Sequence, residues 1–430
     1  MAIENFKSLN TGQIFSVEYK DNFIGSGQQG KVYEVVNVNG KINDRLLIKI
    51  YDDQSQRVRA HLIEFAKYIE AAGLRSDGLS GLCYEPLISS AGNRYAFFML
   101  RVPGDTLDEL EVYEWLKKQG LDVRLSIAYQ IAYSIARLHA QNIIHADIAD
   151  PNVIIDEANQ TAYVIDADGG GVLGSDGRFL PNLAPLVRGH LSGSLMAPEL
   201  VKDNNTWPSK ESDNWSLAVM VHKILFPRLD PFFFLLKFAD CLKPTVEWPP
   251  IAASDQRMQK VVEKHTQLLT LIGQDLKDLF CLTFKPWGRL YNPSARPSAK
   301  IWAQSLEIAS RWVWQCSQCG NEMVAMGIIK CPVCQSEIDH AALFLGSKRI
   351  PICTDGQSLK SDELGFTDGN YIVLSFTRYG EQLQIHPQTH FQLSGKKYSP
   401  GNPVPVGPGR YNLIIFSKDS NKQVEITLKV

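Results

Sequence analysis

The stretch from Leu121 to Gly169 restricts this 430-residue chain more than any other. Between Leu121 and Ala140, apolar residues recur at Leu125, Ala128, Ile131, Ala132, Ile135 and Leu138. That spacing predicts a long helix with one buried face. It leads directly into His145-Ala146-Asp147-Ile148-Ala149-Asp150-Pro151-Asn152. An apolar run and a turn follow, then Tyr163-Val164-Ile165-Asp166-Ala167-Asp168-Gly169. Asp147 can accept the proton of an attacking hydroxyl, and Asn152, five residues on, can hold Mg²⁺. Asp166 emerges after a predicted strand, 14 residues beyond Asn152, where a carboxylate can share a metal with phosphate oxygens. One acid in a turn is commonplace, whereas this ordered set is not.

Upstream, residues 13–103 read as short β-rich runs (IFSVEY, GKVYEVVNV, RLLIKIY, CYEPLI, RYAFFML) with one helix, Gln56 to Ala72. Gly25-Ser26-Gly27-Gln28-Gln29-Gly30 falls between two of the strands and reads as a hairpin loop. Glycines let backbone amides approach phosphates closely, although a plain Gly-rich hairpin has the same pattern. No helix follows, which argues against a dinucleotide fingerprint. Lys49 stands inside the apolar run LLIKIY. A buried ammonium requires a partner, whereas an edge-strand lysine would reach water along its stem. Glu64 on the next helix is the expected partner, with Glu70 as runner-up.

These elements, taken in order, resemble the signature set of the protein-kinase family. Three later runs agree with it: Met196-Ala197-Pro198-Glu199, Ser212-Asp213-Asn214-Trp215-Ser216-Leu217-Ala218 and Ala295-Arg296-Pro297-Ser298. Small-molecule phosphotransferases share the first motifs but generally lack these three, so a protein substrate is favoured. The resemblance covers roughly residues 15–310 and implies an α+β, two-lobed kinase-like fold over 1–312 (N-lobe about 13–103, C-lobe about 104–312). It implies an ATP- and Mg²⁺-dependent kinase acting on Ser or Thr. Asp147 would be the base, Lys49 held by Glu64 would position phosphates, and Asn152 and Asp166 would hold Mg²⁺. Gly25, Ser26, Gly27, Gly30, Val32, Lys49, Met99 and Arg101 would surround the nucleotide. Glu199 and Arg296 would form a buried structural ion pair.

The sequence also departs from the family pattern. Ala146 replaces the usual Arg before the base, Ala149 replaces a usual Lys, and Asp166-Ala167-Asp168 replaces Asp-Phe-Gly. A pseudokinase scaffold is therefore the alternative. Ser175, Ser192 and Ser194 are hydroxyls of the expected activation segment.

Eight cysteines are present, and four form Cys316-x-x-Cys319 and Cys331-x-x-Cys334. Two such knuckles supply four thiolates suited to tetrahedral Zn²⁺ in a closed, structural site. Redox-active pairs or a rubredoxin-type iron site are the alternatives. Cys83, Cys241, Cys281 and Cys353 show no pattern and read as small apolar residues. The predicted ribbon occupies 313–340, and Trp312-Val313-Trp314 would pack it.

Residues 341–430 turn strand-like (FLG, YIVLSF, QLQIH, YNLIIFS, VEITLKV), with Gly, Pro and Asn turns. They predict an all-β, sandwich-like docking domain, loosely similar in layout to forkhead-associated or immunoglobulin-like domains. His386 and His390 read as surface or packing residues. Lys+Arg is 44 against 46 Asp+Glu, which gives no electrostatic sign of nucleic acid or an anionic membrane as partner. No apolar run approaches a bilayer span and the first residues lack a signal-peptide layout, so a cytoplasmic protein is expected. Kinase motifs followed by a ribbon and a β-rich tail resemble bacterial kinases of tellurium-resistance-type phosphorylation triads. The shared run there is Phe284, Gly288, Pro293, Arg296, Pro297 and Trp302. That resemblance implies a von Willebrand A-type protein and a PP2C-type phosphatase as partners.

Overall fold

The computed structural model describes residues 1–26, 29–74, 82, 85–187, 195–203, 205–227, 229–235, 247–250, 256–285, 292–326, 328–338, 341–346, 348–352, 357–379, 382–418 and 422–430. Gly27, Cys83, Ser192, Ser194, Cys241, Gly288 and Cys353 lie outside the described residues. The chain divides into two compact units. The first comprises Met1–Gln119, Ile127–Ile251 and Leu279–Gln304, and the second Gly120–Ser126, Ala252–Asp278 and Ser305–Val430.

The first unit begins with β1 (Ala2–Ser8), β2 (Ile14–Ser26), β3 (Gly30–Val38), β4 (Lys41–Ile42) and β5 (Leu46–Tyr51). Helix α1 (Gln56–Ala71), β6 (Glu85–Ser89) and β7 (Tyr95–Leu100) follow. Among the described residues the strands form one sheet ordered β2-β1-β6-β7-β5-β3-β4, and β2 also pairs with β3. The hydrogen bonding therefore runs full circle around a core of Phe6, Val17, Tyr19, Val35, Ile48, Ile50, Leu87, Ala96 and Phe98. Side chains alternate along a strand, so Ile48 and Ile50 face this core while Lys49 and Tyr51 face away from it. The expected strands and helix of 13–103 are present. Strand β1 precedes them and is weakly patterned, because only Phe6 and Ser8 along it are buried.

Helix α1 is capped by Ser55, whose side chain accepts from the Val58 amide. Its buried face carries Val58, His61, Leu62, Phe65, Ala66 and Ile69. After β8 (Asp105–Thr106) and α2 (Leu110–Lys118) comes α3 (Leu121–Ala140), with the bounds its apolar spacing predicts. Short strands β9 (Ile143–Ile144), β10 (Val153–Asp156), β11 (Thr161–Val164) and β12 (Gly171–Val172) follow. Helices α4 (Pro198–Lys202) and α5 (Lys210–Leu225) come next. A reciprocal Ser209–Ser212 capping box starts α5. Trp215 on α5 stacks on Phe232 and meets Phe284 edge-on, within an aromatic core that includes Trp248, Phe280 and Trp302.

The second unit contains α6 (Gln256–Leu271), the first residues of α7 (Gln274–Phe284), the end of α8 (Ala299–Arg311), and the hairpin of β13 (Val313–Gln315) and β14 (Glu322–Val324). Leu271, Trp314, Met323, Ala325 and Ile338 pack around Cys316 and Cys331. The remaining strands are β15 (Ala342–Leu345), β16 (Lys348–Pro351), β17 (Gln357–Lys360), β18 (Ile372–Tyr379), β19 (Gln382–Pro387), β20 (Phe391–Leu393), β21 (Lys396–Tyr398), β22 (Val404–Val406), β23 (Arg410–Phe416) and β24 (Gln423–Lys429). Among the described residues they form two antiparallel sheets, ordered β16-β15-β24-β23-β20-β21 and β17-β18-β19-β22. No described helix is long and apolar enough to cross a membrane.

Candidate active site and candidate metal centre

Strand register assembles the first site. Strands β10 and β11 pair antiparallel from Val153 opposite Val164, and the Ile165 amide donates to the Asn152 carbonyl at 2.9 Å. Asn152 and Asp166 therefore flank the same end of one hairpin. Asn152 Nδ2 donates to the Asp147 carbonyl at 2.8 Å and to Asp147 Oδ2 at 3.0 Å. His145 Nε2 donates to the Ile165 carbonyl at 2.9 Å, and its Nδ1 accepts the Asp147 amide at 3.2 Å. Buried Asp213, at the start of α5, accepts from the amides of His145 and Ala146 at 2.8 and 3.0 Å and contacts His139 Nε2 at 3.0 Å. This loop is thus fixed at each end and from beneath. Ala146 and Asp166 hold left-handed backbone angles, with φ of 67° and 66°. Such angles in non-glycine residues cost energy that the surrounding bonds must offset.

Lys49 reaches this loop pair from β5. Its Nζ forms ion pairs with Asp166 and, at 2.9 Å, with Asp168 Oδ2. It also donates to Gln29 Oε1 at 3.2 Å. Burial works against the ammonium, but the two carboxylates outweigh it and raise its pKa above the usual lysine value. Asp166 is likewise driven in opposite directions by burial and by Lys49, and settles below the usual carboxylate value. Asp168 is wholly buried, and burial pushes it up to about 6, with Asp166 adding to the rise and Lys49 opposing it. One carboxylate of the pair therefore holds its charge while the other takes a proton more readily.

The expected Lys49–Glu64 pair is corrected. Glu64 is 43 % exposed and pairs with Lys67 at 3.1 Å on its own helix. The register of α1 turns His61, not Glu64, to the buried face. His61 Nε2 lies 2.8 Å from the Asp168 carbonyl, and its Nδ1 lies 3.1 Å from the Asn182 carbonyl. Burial lowers its pKa to about 4, so the ring is neutral there. Sequence reading missed His61 and Tyr51, whose hydroxyl donates to Asp168. Both had a signal: His61 shares the helical stripe with Val58, Leu62 and Phe65, and Tyr51 lies two residues beyond Lys49, on its face of β5.

The other expected nucleotide contacts are distributed around β2, β3 and β7. Gly25 pairs with Val32, and Ser26 with Lys31, so the strands that flank the Gly-rich run are antiparallel neighbours. A Cβ on Gly30 would lie 2.1 Å from the Ile50 carbonyl oxygen, so no side chain fits there. Met99 is buried on β7 opposite Leu47. Arg101 is engaged by Glu34 at 2.6 Å. Arg296, which is buried, holds the half-buried Glu199 through two nitrogens at 2.8 and 2.7 Å, the ion pair that the sequence resemblance implies. Ser175 is exposed.

In the second unit, the ligand atoms of Cys316, Cys319, Cys331 and Cys334 lie within 4.8 Å of one another. Cys316 Sγ is 3.5 Å from Cys334 Sγ, and Cys319 Sγ is 3.7 Å from Cys331 Sγ. The Ser336 hydroxyl lowers the Cys316 thiol to about 6, while burial pushes Cys331 up to about 11. Four converging sulfurs fit tetrahedral Zn²⁺.

The family model of the protein kinase domain matches residues 19–269, more than half of the chain. The chain belongs to the protein kinase domain family. The serine/threonine-protein kinase ppk6 of Schizosaccharomyces pombe is 35 % identical over 115 residues, covering 27 % of this chain and 13 % of that protein. The dual specificity protein kinase TTK of Mus musculus is 24 % identical over 266 residues, covering 57 % of this chain and 28 % of TTK. The serine/threonine-protein kinase shk2 of Schizosaccharomyces pombe is 25 % identical over 268 residues, covering 59 % and 41 % of the two chains. This chain thus spans less than half the length of each of these relatives. A kinase domain implies ATP, Mg²⁺ and a protein substrate.

Proposed function

We propose that this protein is an ATP- and Mg²⁺-dependent kinase that phosphorylates Ser or Thr hydroxyls of a protein, as the names of its relatives suggest. What carries the reading is the convergence of Lys49 with Asp166, and of Asn152 with Asp147, inside the region matched by the kinase model. The donor set suits a hard cation: Asp166 and Asn152 offer oxygen ligands, and the buried Oδ1 of Asp168 has no hydrogen-bond partner among the described residues. When bound, Mg²⁺–ATP supplies the transferable phosphoryl group and neutralises its charge. Asp147 orients the acceptor hydroxyl and takes its proton, while Asn152 fixes Asp147 Oδ2. Lys49 offers positive charge to the phosphates, and Gly25 and Gly30 keep the hairpin free of obstructing side chains, with Val32, Met99 and Arg101 around the base.

In this reading residues 1–312 form the two-lobed kinase, 313–340 a four-cysteine zinc ribbon and 341–430 a sandwich-like docking domain. The setting is cytoplasmic and bacterial, with the von Willebrand A-type and PP2C-type proteins of the resembling triads as partners. The test is transfer from labelled ATP to protein. Asp147→Ala should lower the rate about 100-fold or more, as expected for a lost general base. An unchanged rate overturns the assignment.

A second reading, a nucleotide-binding scaffold, is favoured by Glu64 turning away from Lys49 and by the replacements at Ala146 and Ala149. Mg²⁺-dependent ATP binding without transfer would select it.

A further inference from the structure

A cavity of about 620 Å³ opens among the strands of the second unit, remote in sequence from every kinase motif. Its lining includes Thr389, His390, Lys397, Ser399, Ser417 and Lys418, and no Asp or Glu among the described residues. We propose that this cavity binds a phosphorylated Ser or Thr residue of a peptide.

Register builds the cavity. Phe391 on β20 pairs with Tyr398 on β21 and with Ile415 on β23. The residues just outside these strands, 388–390, 399–400 and 417–418, are thereby gathered at one rim. Lys397 and Lys418 bring two ammonium groups to a lining that has no carboxylate among the described residues. Lys418 Nζ rests 4.6 Å from the centre of the Tyr371 ring, and the Tyr371 hydroxyl is bonded to Asp368, which is not part of the lining. Thr389 is 4 % exposed, and its Oγ1 has no hydrogen-bond partner among the described residues. A buried hydroxyl without a partner is uncommon, and an acceptor-rich ligand would satisfy it. Two lysines with hydroxyls around them match a phosphate dianion, which offers acceptors and no strong donors.

Two observations favour a peptide as the bearer of that phosphate. Phe391 and Tyr398 stack at 5.1 Å and form an apolar wall that inorganic phosphate would not use. Strand β21 ends its sheet, so its outer backbone groups have no strand partner among the described residues. An extended peptide can add to such an edge while its modified side chain enters the adjoining cavity. The source of the ligand rests on the proposed function, since a protein kinase makes phosphorylated hydroxyls. The site would then hold a product of the same chain's chemistry.

The test uses the full chain without ATP, so kinase activity does not enter the measurement. Fluorescence anisotropy compares degenerate peptide libraries fixed on phosphothreonine or phosphoserine with their unphosphorylated counterparts. The phosphorylated library should bind ~10-fold tighter or more, as charge-assisted bonds to two cations require. Replacing both exposed lysines, Lys397→Ala with Lys418→Ala, should remove most of that preference, and Thr389→Val should weaken it further. Equal binding of the two libraries, or an unchanged preference in the double-lysine variant, overturns the proposal. Displacement by inorganic phosphate at concentrations matching the peptide's own overturns the peptide assignment. Loss of transfer from labelled ATP with the phosphopeptide preference intact would defeat the kinase reading and leave this site standing.

Discussion

In the first unit, charge is gathered with its opposite: Lys49 sits between Asp166 and Asp168. In the second, four like donors, the thiols of Cys316, Cys319, Cys331 and Cys334, converge within 4.8 Å of one another. Both arrangements concentrate polar atoms in a small volume. The first carries its own counter-ion, one ammonium against two carboxylates, and a buried ion pair is costly mainly when one partner is lost. A metal held by the four sulfurs would stabilise the second from outside, because the binding free energy of such a site is folding free energy. The two sites should therefore fail differently: one by substitution, the other by extraction.

The largest effect is expected at the cysteines. Cys316→Ser combined with Cys331→Ser should reduce bound zinc from about one per chain to none, by the four-ligand rule. Amide protection should then collapse around Trp314, Met323 and Ala325, the small core that surrounds the cysteines. Structural zinc stabilises small peptides by roughly 10 kcal/mol or more, so a chelator should have the same local effect on the unsubstituted chain. Zinc retained at full stoichiometry in the double variant would break the contrast.

Substitution of Lys49 comes next. Lys49→Met leaves two buried carboxylates without their counter-ion and should cost about 3 kcal/mol at neutral pH. The loss should shrink toward pH 5, because Asp168, already pushed up to about 6, then takes a proton and removes the repulsion. Urea melts at the two pH values read this directly. An identical loss at both would show that the carboxylates do not govern the site.

How much of this was legible in sequence follows from the reach of each interaction. The Asp147–Asn152 pair and the hairpin carrying Asp166 depend on contacts within a few tens of residues, so spacing alone located them. The Glu199–Arg296 pair spans nearly a hundred residues, yet both ends lie in distinctive runs. The partners of Lys49 were not legible, because Asp166 and Asp168 lie 117 and 119 residues farther along the chain, and the expected Glu64 depended on the rotation of α1. The helical stripe Val58, His61, Leu62, Phe65 marks the inward face of α1, where His61 meets the Asp168 carbonyl and Glu64 has no place. Strand β1 was missed for a different reason: its inner face shows only Phe6 and Ser8, too little alternation to stand out. The cavity beside Thr389 needed the register of three strands, which no local pattern encodes.

The smallest effect sets the acid responses of the two units against each other. His61 and His265 are both lowered to about 4 by burial, from an ordinary value of 6.5. A folded-state pKa below the unfolded one gives stability that is complete above about pH 6.5 and is lost as pH falls through 4. Asp168 acts in the opposite sense. Its raised pKa gives stability that is complete below about pH 4 and is lost as pH rises through about 6. The carbonyl of Asp168 bonds His61, so in the first unit the two slopes occupy the same pH window and largely cancel. In the second unit His265 has no such counterweight from a raised carboxylate among the described residues. Hydrogen exchange at pH 7 and pH 5, corrected for intrinsic rates, should therefore show α6 losing protection on acidification while α1 changes little. Asp168→Asn should unmask the His61 slope and make α1 acid-sensitive as well. If α1 and α6 respond alike in the unsubstituted chain, the opposition of His61 and Asp168 is not what sets the first unit's response.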